Sequence, residues 1–271
     1  MRRIFAVMST LDVTLIQTDL AWHDPAANRA RLQKHFGGLA GKTDLIVLPE
    51  MFTTGFTMEA ESVAEAANGP TVVWMREQAA ALGAVVTGSI ATRDGDRYYN
   101  RLVWMRPDGT HETYDKRHLF RMAHEQDHYS AGVRRLIVEL KGWKMLPLVC
   151  YDLRFPVWSR NRAGDAYDVL LYVANWPERR RYAWQTLIKA RAIENLSYCI
   201  AVNRVGRDGN GVNYTGDSAA IDYLGQPMMP PSEQEFATTV THDKAALDGF
   251  RARFPAHLDA DEFQLIGPSG R

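Results

Sequence analysis

Short apolar runs of strand length alternate with amphipathic runs of helical spacing along most of this chain. That alternation admits few architectures, because a strand buried on both faces and a helix with one apolar stripe must cover each other: the expectation is a layered α/β domain. Residues 13–18 and 45–48 read as buried strands. Between them Asp24 is placed to cap a helix with Pro25 at its first position, and Leu32, Phe36 and Leu39 recur at helical spacing. A second helix starts with Pro70 after Gly69, carries Val72, Met75, Ala79 and Leu82 on one face and stops at Gly83.

Residues 85–90 form the next expected strand. Residues 99–105 and 113–116, joined across Pro107-Asp108-Gly109, read as a hairpin, so this part of the sheet is expected to be antiparallel. An irregular polar stretch over 116–132 is followed by strands at 135–140, 145–149 and 169–173 and a long helix over 179–196. Strands at 198–203 and 218–223, separated by a glycine-rich turn, and at 236–241 complete the pattern. No repeat, linker or low-complexity block interrupts it, so one domain spanning 1–271 is expected.

The bulk composition narrows the function classes. With 46% hydrophobic and 24% charged residues the chain can bury a large core. Lys plus Arg and Asp plus Glu both number 32, so no bulk charge recommends a nucleic acid or an anionic membrane as partner. No stretch approaches the ~20 apolar residues that a membrane helix needs. The two cysteines, Cys150 and Cys199, are too few for a disulfide framework and suit a reducing compartment, which makes the cytoplasm the expected location. Arg2 and Arg3 ahead of 4–8 faintly imitate a secretion signal, but the apolar run is short and Asp12 interrupts its continuation; residues 1–8 as an extension ahead of a start at Met8 is an equally good reading.

Three residues at strand ends carry chemistry. Cys150 closes an apolar strand and leads into Tyr151-Asp152-Leu153-Arg154-Phe155-Pro156, a sharp strand-to-helix transition like a nucleophile elbow. Such a turn exposes the sulfur, and N–H groups just beyond it favour negative charge. A packed strand cysteine is the bland alternative, and it is the reading given to Cys199, which lies mid-strand. Glu50 follows Asp44-Leu45-Ile46-Val47-Leu48-Pro49, so a buried strand delivers a carboxylate to its carboxyl end, where open α/β sheets place ligands. A surface acid is the ordinary reading there, but Pro49 and the aromatic stretch 51–56 would wall the site. Lys116, alone, would be a solvated surface charge.

Taken together these segments resemble the signatures of the nitrilase, or carbon–nitrogen hydrolase, superfamily: Leu48-Pro49-Glu50, Tyr114-Asp115-Lys116-Arg117-His118-Leu119 and Cys150-Tyr151-Asp152-Leu153-Arg154-Phe155-Pro156, in the family's order. Ala174-Asn175-Trp176-Pro177 and Ala190-Arg191-Ala192-Ile193-Glu194-Asn195 extend the resemblance over nearly the whole chain. It implies a four-layer αββα sandwich, assembled as a homodimer or larger homo-oligomer, acting without cofactor or metal on a small-molecule amide. It also implies roles: Cys150 as nucleophile, Glu50 as general base, Lys116 with the Tyr151 backbone N–H as oxyanion stabiliser, and Glu125 as a fourth catalytic glutamate if the loop after Lys116 folds back.

His124-Glu125-Gln126-Asp127-His128 also spells the His-Glu-x-x-His pattern of zinc peptidases. Its surroundings speak against that use: Ser130-Ala131-Gly132 breaks the helix such a site needs, and neither Ala131 nor Arg134 continues the longer metal pattern. A thiol redox sensor would want a resolving cysteine, and a scaffold would not need three polar chemical residues at one pocket.

Glu50-Met51-Phe52-Thr53-Thr54-Gly55-Phe56, His118-Leu119-Phe120-Arg121-Met122 and Asn175-Trp176-Pro177 most resemble the omega-amidase branch, which implies hydrolysis of the terminal amide of 2-oxoglutaramate and related dicarboxylate monoamides; nitrile and N-carbamoyl amide hydrolysis are rivals with the same triad. A substrate with a distal carboxylate calls for a cation, for which Arg154, Arg117, Arg121 and Arg179 are available, unless Arg154 pairs instead with Glu194. Phe52, Phe56, His118, Phe120, Arg154 and Trp176 are the expected pocket.

Overall fold

The computed structural model describes residues 10–265; the reading of residues 1–8 lies outside the described residues. Strand β1 (Thr10–Gln17) leads to α1 (Pro25–His35) and β2 (Leu45–Val47). The Asp24 side chain caps α1 by accepting from the Ala27 N–H at 2.9 Å, with Pro25 in the first turn where its missing N–H costs nothing. A short α2 (Ala60–Val63) and β3 (Glu65–Ala66) precede α3 (Pro70–Leu82), which ends at Gly83 in the left-handed region, φ +64°, as a helix-terminating glycine does. Then come β4 (Val85–Asp94), β5 (Arg97–Met105) and β6 (His111–Asp115).

The second half contains β7 (Val138–Leu140), β8 (Trp143–Val149), a short α4 (Pro156–Ser159), β9 (Val169–Ala174), α5 (Arg181–Asn195), β10 (Tyr198–Asn203), β11 (Val205–Arg207), β12 (Asn213–Thr215), β13 (Ala219–Ile221), β14 (Phe236–Asp243) and α6 (Lys244–Arg253).

One sheet runs β14-β1-β2-β4-β5-β6, with β3 beside β4; the other runs β13-β10-β9-β8-β7. Side chains on successive strand residues point to opposite faces, and the first sheet uses both. Leu45 and Val47 of β2, Leu102 and Trp104 of β5, and Leu11, Val13 and Leu15 of β1 face the other sheet, whose facing residues include Val149 of β8, Leu171 and Val173 of β9 and Val202 of β10. Ile46, Leu48, Val86, Val103 and Met105 face outward and are covered by Leu32 of α1 and Val72, Met75 and Ala79 of α3. Helix α5 covers the second sheet through Trp184, Ile188 and Ala192. The layers are therefore helix, sheet, sheet, helix: the αββα sandwich.

Several boundaries differ from the sequence reading. The strand expected at 135–140 begins only at Val138, because Arg135 turns its guanidinium onto Asp165 at 3.1 Å. The next strand begins at Trp143 instead of 145: Lys141 and Gly142, at φ +51° and +79°, form a tight two-residue hairpin turn. The strand expected to stop at Ile90 continues to Asp94 and turns at Gly95 into β5. The glycine-rich stretch after Asn203 holds the β11–β12 hairpin, and α6, capped by the Asp243 side chain on Ala246 N at 3.0 Å, was not expected at all.

Candidate active site

The carboxyl ends of β2, β6, β8 and β9 meet at one edge of the sandwich, and each delivers a polar residue there. Glu50 lies three residues beyond β2 and is wholly buried. Its Oε1 accepts from Asn100 Nδ2 at 2.8 Å and from Lys116 Nζ at 2.9 Å; its Oε2 accepts from the Asn175 N–H at 2.8 Å. A carboxylate with this many fixed donors cannot swing away, so its position is set by three different strands.

Lys116 follows β6 directly and sits across the ladder from Asn100, its N–H donating to the Asn100 carbonyl at 3.0 Å. Its ammonium is buried between two carboxylates, reaching Glu50 at 2.9 Å and both oxygens of Glu125 at 3.0 and 2.9 Å. Burial alone would lower its pKa; the charges of Glu125 and Glu50 outweigh that and hold it well above the ordinary lysine value, so the group stays a cation. The stretch after Lys116 does fold back. Two short 3₁₀ turns, Arg121–Ala123 and Glu125–Asp127, bring Glu125 under the ammonium, where its Oε2 also accepts from the Phe120 N–H at 2.6 Å. Two buried carboxylates share one ammonium, and burial together with Glu50 raises the Glu125 pKa against the pull of Lys116.

This geometry also disposes of the zinc-peptidase pattern. Residues 124–128 are not a helix: His124 stands at φ +58°, its side chain 74% exposed, and Glu125 is spent on Lys116. The two imidazoles therefore do not share one helix face.

Cys150 opens a 3₁₀ turn over Cys150–Arg154 at φ +44°, a left-handed conformation that a non-glycine residue adopts only when its surroundings enforce it. The side chain reaches the cavity that the Glu50 carboxylate also lines. Burial and the Glu50 charge push the thiol pKa well above its ordinary value, with Lys116 acting the other way. The resting group is therefore a thiol, which needs a base to become a nucleophile. Cys199 is fully buried mid-strand and its thiol is pushed up by burial, consistent with a core role.

Glu50, Lys116 and Cys150 converge on a cavity of about 260 Å³. Of the expected pocket residues, Phe56, Phe120, Arg154 and Trp176 line it together with Tyr151. Phe52 does not: it is buried beneath α3, 6.1 Å from the Trp74 ring. Nor does His118, which stacks on Phe155 at 3.8 Å and points Nδ1 at Asp152 behind the nucleophile turn. Both corrections have one cause, since the chain reverses sharply beside Glu50 and Lys116 and carries neighbouring side chains to opposite sides.

Arg154 does not pair with Glu194. Arg191 takes that carboxylate at 3.0 Å and also holds the Leu153 carbonyl at 2.7 Å, which leaves Arg154 over the Trp176 ring at 5.0 Å, facing the cavity. Among the other candidate cations, Arg179 lines the cavity; Arg117 bonds to the Gly132 carbonyl at 3.0 Å instead, and Arg121 is exposed elsewhere.

Sequence reasoning missed Asn100, Asn175, Arg180 and the wall formed by Trp22 with Asp208 and Tyr214 of the β11–β12 hairpin. Asn175 was inside a quoted segment; the others had no spacing signal. Arg154, Arg179 and Arg180 all line the cavity, and among the described residues none of them forms an ion pair with a carboxylate. Burial and the neighbouring Arg179 and Arg154 lower the Arg180 pKa, so the three charges repel one another across this wall.

A cysteine, a glutamate and a lysine brought to one cavity at the seam of an αββα sandwich define a thiol hydrolase of carbon–nitrogen bonds. The carbon-nitrogen hydrolase family model matches residues 12–247, and the chain belongs to that family. It is similar to Omega-amidase YafV of Escherichia coli (strain K12), with 48% identity over 260 residues, 95% of this chain and 100% of the relative. It is also similar to 2-oxoglutaramate amidase of Bacillus subtilis (strain 168), with 30% identity over 226 residues, 82% of this chain and 87% of the relative. The crystal structure of XC1258 from Xanthomonas campestris, described as a CN-hydrolase superfamily protein with an arsenic adduct in the active site, has 53% identity and a TM-score of 0.94, covering 96% of this chain and 100% of that one. Among the described residues no helix is long and apolar enough to cross a membrane.

Proposed function

We propose that the chain hydrolyses the terminal carboxamide of a small dicarboxylate monoamide of the 2-oxoglutaramate kind, giving the acid and ammonia. The observation that carries this reading is the composition of one cavity: Cys150 beside Glu50 and Lys116, and three arginines that lack a carboxylate partner among the described residues. A cluster of like charges facing a cavity is relieved by an anion, and arginine forks match a carboxylate. The names of the two relatives, an omega-amidase and a 2-oxoglutaramate amidase, support the same substrate class.

The mechanism follows from the placement of the groups. The Cys150 sulfur attacks the amide carbon while Glu50 takes the thiol proton. The new oxyanion is met by the Tyr151 N–H and by Lys116, which exchanges one of its two contacts to Glu125 for it. Collapse breaks the carbon–nitrogen bond, Glu50 hands its proton to the departing ammonia, and a thioester remains on Cys150. Glu50 then takes a proton from water, which attacks the thioester; the sulfur leaves and regains the proton. Glu125 fixes the ammonium and assists proton movement next to it. Phe56, Phe120 and Trp176 wall the acyl chain and limit water around the thioester.

The same reading takes 1–271 as one domain working in the cytoplasm, supported by the two unpaired cysteines. It takes the chain as a homodimer or larger homo-oligomer, supported by the apolar side chains of Tyr182, Ile193 and Leu224 left exposed on and beside α5.

The test is ammonia release from 2-oxoglutaramate, a neutral amide of equal length, and a panel of nitriles and carbamoyl compounds, for wild type and Cys150→Ala. The expected result is a strong preference for the carboxylate-bearing amide over its neutral counterpart and loss of release to background in the variant. Release that survives Cys150→Ala removes the mechanism; variant-sensitive release confined to nitriles or carbamoyl compounds keeps the three residues and replaces the substrate.

A further inference from the structure

Asp152 lies in the turn that carries Cys150, and its side chain points away from the cavity into the protein, with no exposure. It accepts four hydrogen bonds. Oδ2 takes the Tyr114 hydroxyl at 2.7 Å and the Val149 N–H at 3.0 Å; Oδ1 takes the His118 N–H at 3.0 Å and His118 Nδ1 at 2.7 Å. The donors come from two segments. Tyr114 and His118 bracket Lys116 by two residues on either side, and Val149 precedes Cys150.

From this we infer that Asp152 is a positioning residue of the reaction: it locks the segment carrying Lys116 and the turn carrying Cys150 in register across the seam between the sheets. The inference rests on the roles given to Lys116 and Cys150 above.

Several features favour this over a merely structural acid. A buried carboxylate is costly, and a well-packed apolar residue would stabilise a core as well or better. The Asp152 donors are themselves braced: Tyr114 accepts from Trp158 Nε1 at 2.9 Å and from the Arg117 N–H at 3.2 Å, and His118 is stacked on Phe155. Burial beside Asp152 pushes the Tyr114 phenol up, so it remains a donor. The Val149 bond fixes the Leu148–Val149 peptide, one residue before Cys150, whose left-handed backbone requires such enforcement. No part of this network lines the catalytic cavity, so its loss should change the placement of the reacting groups and leave substrate binding alone.

The experiment compares Asp152→Asn, Tyr114→Phe and their double variant with wild type in kcat, KM, the rate of Cys150 alkylation by iodoacetamide, and Tm. An asparagine side chain presents an NH₂ to two of the four donors and so weakens the tie between the two segments, while Tyr114→Phe removes one tether at nearly unchanged volume. The expected result is a kcat about 10–100-fold lower with KM within about twofold, since about 1 Å of misplacement has effects of this size. Alkylation should slow severalfold, because the thiolate loses its aligned base and cation, and the double variant should be no worse than Asp152→Asn alone. Variants that lose Tm but keep kcat and alkylation rate would overturn the inference, as would additive effects in the double variant. If Asp152→Asn does not fold, Tyr114→Phe decides on the same readouts. Alkylation needs no substrate, so a wild type that hydrolyses no amide while its variants still alkylate slowly would count against the proposed function and not against Asp152.

Discussion

Asn100 shows how much one unremarked residue does. Its side-chain amide donates to Glu50 at 2.8 Å and reaches Glu125 at 3.3 Å, while its carbonyl anchors the Lys116 backbone. It is neutral, and that matters in a buried cluster that already holds two carboxylates and one ammonium. Replacing it by Asn100→Asp puts a third carboxyl among them at almost constant volume. Like charges at this distance in a desolvated site raise carboxyl pKa values by about one unit or more. We expect kcat/KM at pH 7 to fall about 10–100-fold and the acid limb of its pH profile to move to higher pH, because the base must be ionised to take the thiol proton. A pH–rate series on folded variant protein checks this, and an unmoved limb would mean that the carboxylates do not sense residue 100.

At the scale of elements, β4 explains how a chain with bulky residues on both sides of Glu50 can lie flat on its sheet. Gly88 is in the middle of β4, and a Cβ there would stand 2.8 Å from both Leu48 Cβ and Phe52 Cδ1, the residues that flank the Glu50 turn. The backbone at Gly88 is not in the left-handed region, so the constraint is space alone. Gly88→Ala should cost about 1–3 kcal/mol by overpacking, read from urea unfolding. It should also lower kcat, because the relief available is a shift of residues 48–52. A variant with wild-type stability would show that this contact relaxes freely. The β11–β12 hairpin has a similar role at the other wall, where Gly209 lets its tip close on Trp22; an added Cβ would stand 2.4 Å from that ring.

For the whole molecule, the seam between the sheets is the feature on which function depends, and β14 helps to hold it. His242 of β14 lies on Tyr198 of β10, ring to ring at 5.0 Å, and its Nδ1 meets the Leu11 carbonyl at 3.2 Å. Burial lowers its pKa from 6.5 to about 4. The folded state therefore holds it neutral, while an unfolded chain would protonate it near pH 6.5. The stability it contributes is present in full above that pH and is lost as pH falls toward 4, up to about 3 kcal/mol. Urea unfolding at pH 7.5 and 4.5 should show His242→Asn losing less stability on acidification than wild type, by about 2–3 kcal/mol. Equal acid sensitivity in the two proteins would mean that other groups govern it.

Periodicity and caps were sufficient for much of the local structure, though not for α6 or for the bounds of β4, β7 and β8. Asp24-Pro25, Gly69-Pro70 and Gly83 bound their helices as read, and strands buried on both faces were visible as continuous apolar runs, because these effects act within a few residues. The segments around Glu50, Lys116 and Cys150 were visible for the same reason, each being a polar residue placed where an apolar strand stops. What local chemistry could not decide was which way a side chain leaves a turn and what it meets across the seam. Phe52 and His118 stood near Glu50 and Lys116 in sequence and yet point away from the cavity; Asn100 and Arg180 lay within no motif and yet face Glu50 or the cavity. Arg154 was freed for the cavity only because Arg191, far along the chain, took Glu194. Such assignments are contests between groups distant in sequence, and only the packing of the two sheets and the helices over them settles which partner each one finds.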